Sequence, residues 1–330
     1  ASPTSGPSAS PTASPTQNPT CNPFTETQSA VYAACIDHNP QNYSYAQPLC
    51  GDSKPAVFGE LSSLLGGDTC SLEIITVTDS YFSAYIQEEE SLDSEVSHAK
   101  EFYGYVSILD GLLQNTDGDV IGQVGRVSVT QPNNSTWFSL SYDETISNPV
   151  VIMKANAIPD SLDTAPGGVK PFRPGHMRVK DVTETGFSYQ FEEWDYLSAY
   201  TSTERPETEA VFMVVQKGAH DLSDGDTTIK MTAQTVEHTS SSTDVNSYTT
   251  VMYSEAQPAD PVVLAQTQTE SAGDSESEAS VVVRMTNLDT DSVDVNMSNE
   301  ELNGGRIGHN VEETIGVVTY WDSNTKQLSC

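Results

Sequence analysis

Asn148-Pro149-Val150-Val151, followed by Arg178-Val179-Lys180-Asp181-Val182-Thr183-Glu184-Thr185-Gly186-Phe187-Ser188-Tyr189-Gln190-Phe191-Glu192-Glu193, is the stretch on which the fold turns. Its pattern returns further along as Asp260-Pro261-Val262-Val263, followed by Arg284-Met285-Thr286-Asn287-Leu288-Asp289-Thr290-Asp291-Ser292-Val293-Asp294-Val295-Asn296-Met297. From each arginine the two segments align without a gap. Each copy closes on a glutamate-led apolar strand, Glu209-Ala210-Val211-Phe212-Met213-Val214-Val215 and Glu313-Thr314-Ile315-Gly316-Val317-Val318. Repetition at domain length means copies of one folding unit, here two. It favours two similar surfaces over one buried catalytic centre.

Inside the copies the apolar period is two. Phe187, Tyr189 and Phe191 point one way, and Ser188, Gln190 and Glu192 the other. In the second copy Val293, Val295 and Met297 are expected inside, with Asp294, Asn296 and Ser298 facing solvent. Such strands, separated by polar turns, predict a mainly β protein with two tandem antiparallel β-sandwiches. The first is expected over residues 121–238, starting near Ile121, and the second over 239–330. Residues 21–120 read as a small cysteine-containing α/β cap. Helical patterning covers 26–36, 57–65 and 91–105, the last with Leu92, Val96, Ala99 and Phe102 on one face. Gly66-Gly67-Asp68 is expected to end the second helix, and 71–78 reads as a strand.

Charge narrows the partners. The 330 residues carry 47 acidic against 14 basic side chains, a net of -33. Such a surface repels nucleic acid and anionic membranes. No apolar run is long enough to span a bilayer, so membrane insertion is not expected. The chain opens at Ala1 without a signal peptide, which reads as a mature secreted form whose leader was removed.

Residues 1–20 are almost wholly Ala, Ser, Thr and Pro, which predicts an extended polyproline-like tail. Ser2, Thr4, Ser8, Ser10, Thr12, Ser14 and Thr16 are candidate O-glycosylation sites. N-glycosylation sequons start at Asn42, Asn133, Asn134 and Asn296. The cysteines Cys21, Cys35, Cys50, Cys70 and Cys330 show no zinc or redox spacing, so disulfides in an extracellular protein are the expectation. Cys21, Cys35, Cys50 and Cys70 alone allow three pairings, and spacing does not choose among them. Cys330 is the odd one: it takes a partner from the first four, stays free, or bridges to another molecule.

The stretch 177–215 resembles the H-type lectin domain, especially the version found in secreted multidomain proteins. The matching residues are Arg178-Val179-Lys180-Asp181-Val182-Thr183, Gly186-Phe187, Glu193-Trp194-Asp195-Tyr196-Leu197, and Glu209 before the final strand. Trp137-Phe138-Ser139-Leu140 and Asn148-Pro149-Val150-Val151 are similar to its earlier strands, and the two copies together cover residues 121 to 321. The resemblance implies a six-stranded antiparallel β-sandwich that self-associates. In H-type lectins proper it implies a site for N-acetylgalactosamine-like sugars near a subunit interface. The common pattern continues Asp-Gly after the leucine and has a histidine three residues before the glutamate; here Ser198-Ala199 and Pro206 stand in those places. In the second copy Glu300-Glu301-Leu302 replaces the Trp-Asp-Tyr run, and His309 precedes Glu312 and Glu313.

Trp194 and Tyr196 offer aromatic faces for a sugar ring, and Asp195 a hydroxyl acceptor. The alternative is that Trp194 caps the core and Asp195 serves a turn. His309 with Glu312 or Glu313 would make a polar clamp. Asn115-Thr116-Asp117-Gly118-Asp119 hints at a calcium loop, but an EF-hand needs glutamate where Arg126 stands, which leaves a looser oxygen site or a tight Asp-Gly turn. Asp289, Asp291 and Asp294 make an equally weak calcium case. No zinc-protease, nucleophile-elbow or phosphate-loop motif is present, so no catalytic residues or cofactors are expected and the protein does not read as an enzyme. The expectation is an extracellular structural glycoprotein that assembles with copies of itself into a filament or surface coat, through its tail and Cys330. The alternative is an adhesin or lectin for cell-surface or matrix glycans.

Overall fold

The structure, a computed structural model, describes residues 27–45, 54–66, 69–88, 98–129, 137–156, 175–193, 208–222, 227–239, 247–270, 281–299, 311–324 and 326–329. Among these residues it contains strands and no helix.

Three sets of six strands follow one plan. The first unit is β1 (Gln28–Ile36), β2 (Gln41–Ser44), β3 (Ala56–Leu61), β4 (Cys70–Val77), β5 (Tyr81–Glu88) and β6 (Glu101–Ile108). After β7 (Gly111–Gln114) the second unit is β8 (Val120–Val129), β9 (Phe138–Ser141), β10 (Pro149–Ala155), β11 (Gly175–Thr183), β12 (Gly186–Glu193) and β13 (Thr208–Gln216). After β14 (Gly218–Asp221) the third is β15 (Ile229–His238), β16 (Thr249–Met252), β17 (Val262–Thr267), β18 (Val282–Thr286), β19 (Ser292–Ser298) and β20 (Glu313–Asp322), followed by β21 (Lys326–Ser329). In each unit the first, sixth and third strands pair in that order, and the second, fifth and fourth form a separate sheet. These pairings are antiparallel.

Each strand between units pairs with the unit that follows it in the cycle. β7 follows the first unit yet pairs antiparallel with β8 of the second, and β14 pairs likewise with β15 of the third. β21 follows the third unit and pairs with β1 of the first, but parallel. The units therefore close on one another in a cycle.

Alternation explains why one sheet of each unit is apolar on both faces. Val57, Val151 and Val263 occupy equivalent places and lie in the apolar clusters of their own units. Their neighbours Phe58, Ile152 and Leu264 point the other way, into a central cluster to which all three units contribute. Val106, Met213 and Val318 join them, as do Ile108, Val215 and Tyr320. A sheet buried on both faces reads as a continuous apolar run instead of alternating. In β3, Ala56–Leu61, every residue is buried.

The cap expected over 21–120 is corrected by this pattern. The helix expected over 57–65 is β3, and those over 26–36 and 91–105 overlap β1 and β6. Phe102, placed on a buried helical face, is 40% exposed. β15 pairs along its length with β20, so it belongs to the third unit and the expected boundary at 238/239 moves back past β13. The strand expected over 71–78 coincides with β4. No helix among the described residues is long and apolar enough to cross a membrane.

Candidate functional site

The chemistry concentrates where units meet. Arg178 lies opposite Gln190 across β11 and β12, and Arg284 lies opposite Asn296 across β18 and β19. Met177 and Val179 pack inward, so Arg178 faces outward from its sheet, yet both arginines are buried because the next unit covers them. Arg178 Nη1 donates to Glu192 at 3.1 Å and Nη2 to Glu313 of the third unit at 3.3 Å. Arg284 repeats this one unit on: Nη2 donates to Glu101 of the first unit at 3.4 Å and to the Ser63 carbonyl at 3.2 Å. Its Nη1 lies 2.6 Å from Cys70 Sγ. Burial opposes both guanidinium charges. Glu192 and Glu313 around Arg178, and Cys70 and Glu101 around Arg284, outweigh it and raise both above the ordinary arginine value.

The junction of the third and first units is the most highly charged. His98 Nδ1 meets Glu88 at 2.5 Å, and Nε2 meets Glu101 at 3.1 Å and Cys70 Sγ at 3.5 Å. Burial alone would lower the His98 pKa, but the bonds to Cys70, Glu101 and Glu88 push it up to about 10. Burial alone would raise Glu101; His98, Arg284, the Gly66 N–H and the Ser63 hydroxyl hold it down at about 2.

The equivalent place in the first unit is Glu73, which lies opposite Tyr85. The register also equates Thr208 with Glu313 and Glu101. The junction of the first and second units has therefore exchanged both members of the buried pair. Glu209, expected to lead its strand as Glu313 does, sits one position on and meets Lys54 at 3.0 Å and Arg126 at 3.2 Å.

A second device repeats around the cycle. Gln268 accepts from the Val151 N–H at 2.8 Å and donates to the Val151 carbonyl at 2.7 Å, so the third unit grips a β10 strand of the second. Asn156, its equivalent, binds both backbone groups of Val57 in the first unit, at 2.7 and 2.6 Å. The third equivalent is Ser62, whose hydroxyl has no hydrogen-bond partner.

A cavity of about 60 Å³ lies where the third strands of all three units converge. Glu60, Lys154 and Gln266 occupy equivalent places in its lining. Lys154 pairs with Glu60, and Gln266 donates to the Met177 carbonyl. The space suits a few waters at most, and Glu73 and His176 also line it beside the Lys154–Glu60 pair.

The residues singled out from sequence fall elsewhere. Trp194, Asp195, Tyr196 and His309 lie outside the described residues, as do Asn133, Asn134 and the serines and threonines of residues 1–20. Glu312 is exposed, next to buried Glu313. Asn42 is exposed and accepts a hydrogen bond from Ser83. Asn296, expected on a solvent face, is fully buried and accepts from the Met297 N–H. The first unit covers that face, so a glycan does not fit there. Cys70, expected in a disulfide, is a free buried thiol. The side chains of Cys21, Cys35, Cys50 and Cys330 lie outside the described residues. Asn115 accepts from the N–H groups of Asp117 and Asp119 at 3.0 and 2.9 Å, a tight turn with Gly118 at φ 86°. Among the described residues no group of histidine, cysteine and carboxylates is arranged to hold a metal.

Sequence reasoning missed that the first unit is a third copy and read only β4 of its six strands. Two signals for it were present. Lys54-Pro55-Ala56-Val57 parallels the two other proline-led strands. Tyr45, Tyr142 and Tyr253 each follow the second strand and donate a backbone N–H across to the turn before the fifth. No protein-family model, curated protein or solved structure matches the chain.

Proposed function

We propose that the protein is an extracellular structural glycoprotein, a rigid building block that assembles with copies of itself into a filament or surface coat. Each pair of sheets is read as a β-sandwich of the H-type lectin kind, three of them fused into one body. The observation that carries this reading is the closure of the cycle. The buried charges at the junctions meet partners across units, and the cavity where the third strands converge is small. Such a body suits a brick better than a catalyst. Repeated head-to-tail contacts of one kind generate open filaments.

Negative-stain microscopy and mass measurement of protein purified without reductant test the proposal. Filaments or lattices are expected; uniform particles of single-chain mass under all conditions would refute it. Glycan-array binding that disappears in Trp194→Ala, in particles that never assemble, would put the lectin reading in its place.

A further inference from the structure

The two arginine junctions differ in one partner, and the difference singles out a sulfur. Arg178 is met by two carboxylates, Glu192 from its own sheet and Glu313 from the next unit. The register equates Glu192 with Ser298 and Glu313 with Glu101, so Arg284 has a serine in place of the first carboxylate. The Ser298 hydroxyl has no hydrogen-bond partner and does not stand in for it. Cys70 does. Its Sγ accepts from Arg284 Nη1 at 2.6 Å and lies 3.5 Å from His98 Nε2. A sulfur that replaces a carboxylate beside a guanidinium and an imidazolium is held as thiolate, the nucleophilic form. The other two units carry Gly175 and Val281 at the equivalent place, so the fold itself does not call for a sulfur there.

The surroundings fit one class of reagent. Cys70 is a free thiol and lines the cavity of about 60 Å³ where the third strands converge. Hydrogen peroxide, little larger than a water, has a place in such a space, and a bulky disulfide oxidant does not. His98 is oriented for proton transfer: Glu88 fixes Nδ1 at 2.5 Å, which turns Nε2 toward the sulfur. We propose that Cys70 is a peroxide-reactive thiol, oxidised by hydrogen peroxide to a sulfenic acid with His98 as the proton donor. This chemistry is independent of whether the protein assembles.

The Cys70 thiolate attacks one peroxide oxygen, and an S–O bond forms as the O–O bond breaks. The attacked oxygen keeps its hydrogen, which gives Cys70–SOH. The departing hydroxide takes the Nε2 proton of His98 and leaves as water. An electron pair passes from sulfur to peroxide, so the sulfur is oxidised and the peroxide reduced. The charge on Cys70 is among the causes that raise the His98 pKa against burial. Its loss on oxidation loosens that proton, so oxidation and proton transfer favour each other.

Timed treatment of the full chain with hydrogen peroxide in the presence of dimedone, followed by peptide mapping by mass spectrometry, tests this. The Cys70 peptide should carry the dimedone adduct, and should acquire it faster in the native protein than in urea-unfolded protein. Exposure alone would give the reverse order, because the folded chain buries this thiol. His98→Gln should slow the native reaction by ~100-fold and leave the rate in urea unchanged. Oxidised glutathione, given to the native wild type in a separate sample, should leave Cys70 unmodified. A native Cys70 that stays unlabelled or reacts no faster than in urea, a native rate untouched by His98→Gln, or a mixed disulfide at native Cys70 would each overturn the assignment.

Discussion

The second and third units meet over a buried arginine–glutamate pair, Arg178 with Glu313; the equivalent places of the first and second units hold Glu73 and Thr208 instead. Volume changes in step. At Gly316 an added Cβ would lie 2.7 Å from Val150, and at Gly104 3.2 Å from Val262. The equivalent pair between the first two units is Val211 with Ala56, the bulk having moved from one partner to the other. Two sides of a contact that change together behave as one packing unit, and neither side is optimised alone. The comparison also argues that the ion pair is dispensable as a pair and costly to leave half made.

The largest effect should come from breaking that pair on one side. Glu313→Ala leaves Arg178 short of a buried partner and should destabilise by about 3–5 kcal/mol in urea melts. Arg178→Met with Glu313→Leu should recover most of the loss, and a double variant no better than the single would break the comparison. Next, Gly316→Ala should cost about 1–3 kcal/mol by overpacking. Adding Val150→Ala, which imitates Val211 and Ala56, should restore part of it; thermal melts of the three proteins read this directly.

The charged junction of the third and first units gives a pH test. Glu101 is depressed on folding from 4.5 to about 2, so its contribution is present above pH 4.5 and fades as pH falls toward 2. His98 is raised from 6.5 to about 10, so its contribution is full below pH 6.5 and is lost as pH climbs through 10. Stability from this junction should peak between pH 4.5 and 6.5. His98→Gln should flatten the alkaline limb of a stability–pH profile, and an unchanged limb would show that the network does not act through His98. The smallest effect belongs to Ser62→Ala, within about 0.5 kcal/mol because its hydroxyl binds nothing. Gln268→Ala at the equivalent place, which leaves the Val151 N–H and carbonyl without that side chain, should cost more, about 1–3 kcal/mol.

How much of this was legible follows from which residues kept their signature. The second and third units were recognisable because Arg178 and Arg284 and the proline-led strands survive in both. The first unit was hidden by the same exchange that distinguishes its junction: Glu73 stands where the arginine would be. β3 is buried on both faces and shows no alternation, so its apolar residues mimic a helical stripe. Asn296 followed the alternation rule correctly within its own sheet. The error lay in assuming that the far side of that sheet met water, when a distant part of the chain covers it. Nothing within one repeat encodes what docks upon it. Trp194, Asp195 and Tyr196, read from the sequence as a sugar platform, lie outside the described residues.

The shared central cluster has a cost in time as well as a benefit in stability. Val150, Ile152, Met213 and Val215 find their full apolar surroundings only when β15, β17 and β20 have been made. At a synthesis rate of ~5–20 residues per second, a wide greasy face waits for about 5–20 s between emergence of the second and third units. A nascent chain of this design needs a chaperone's shelter during that interval, and fragments ending after Gln216 should clump when expressed by themselves.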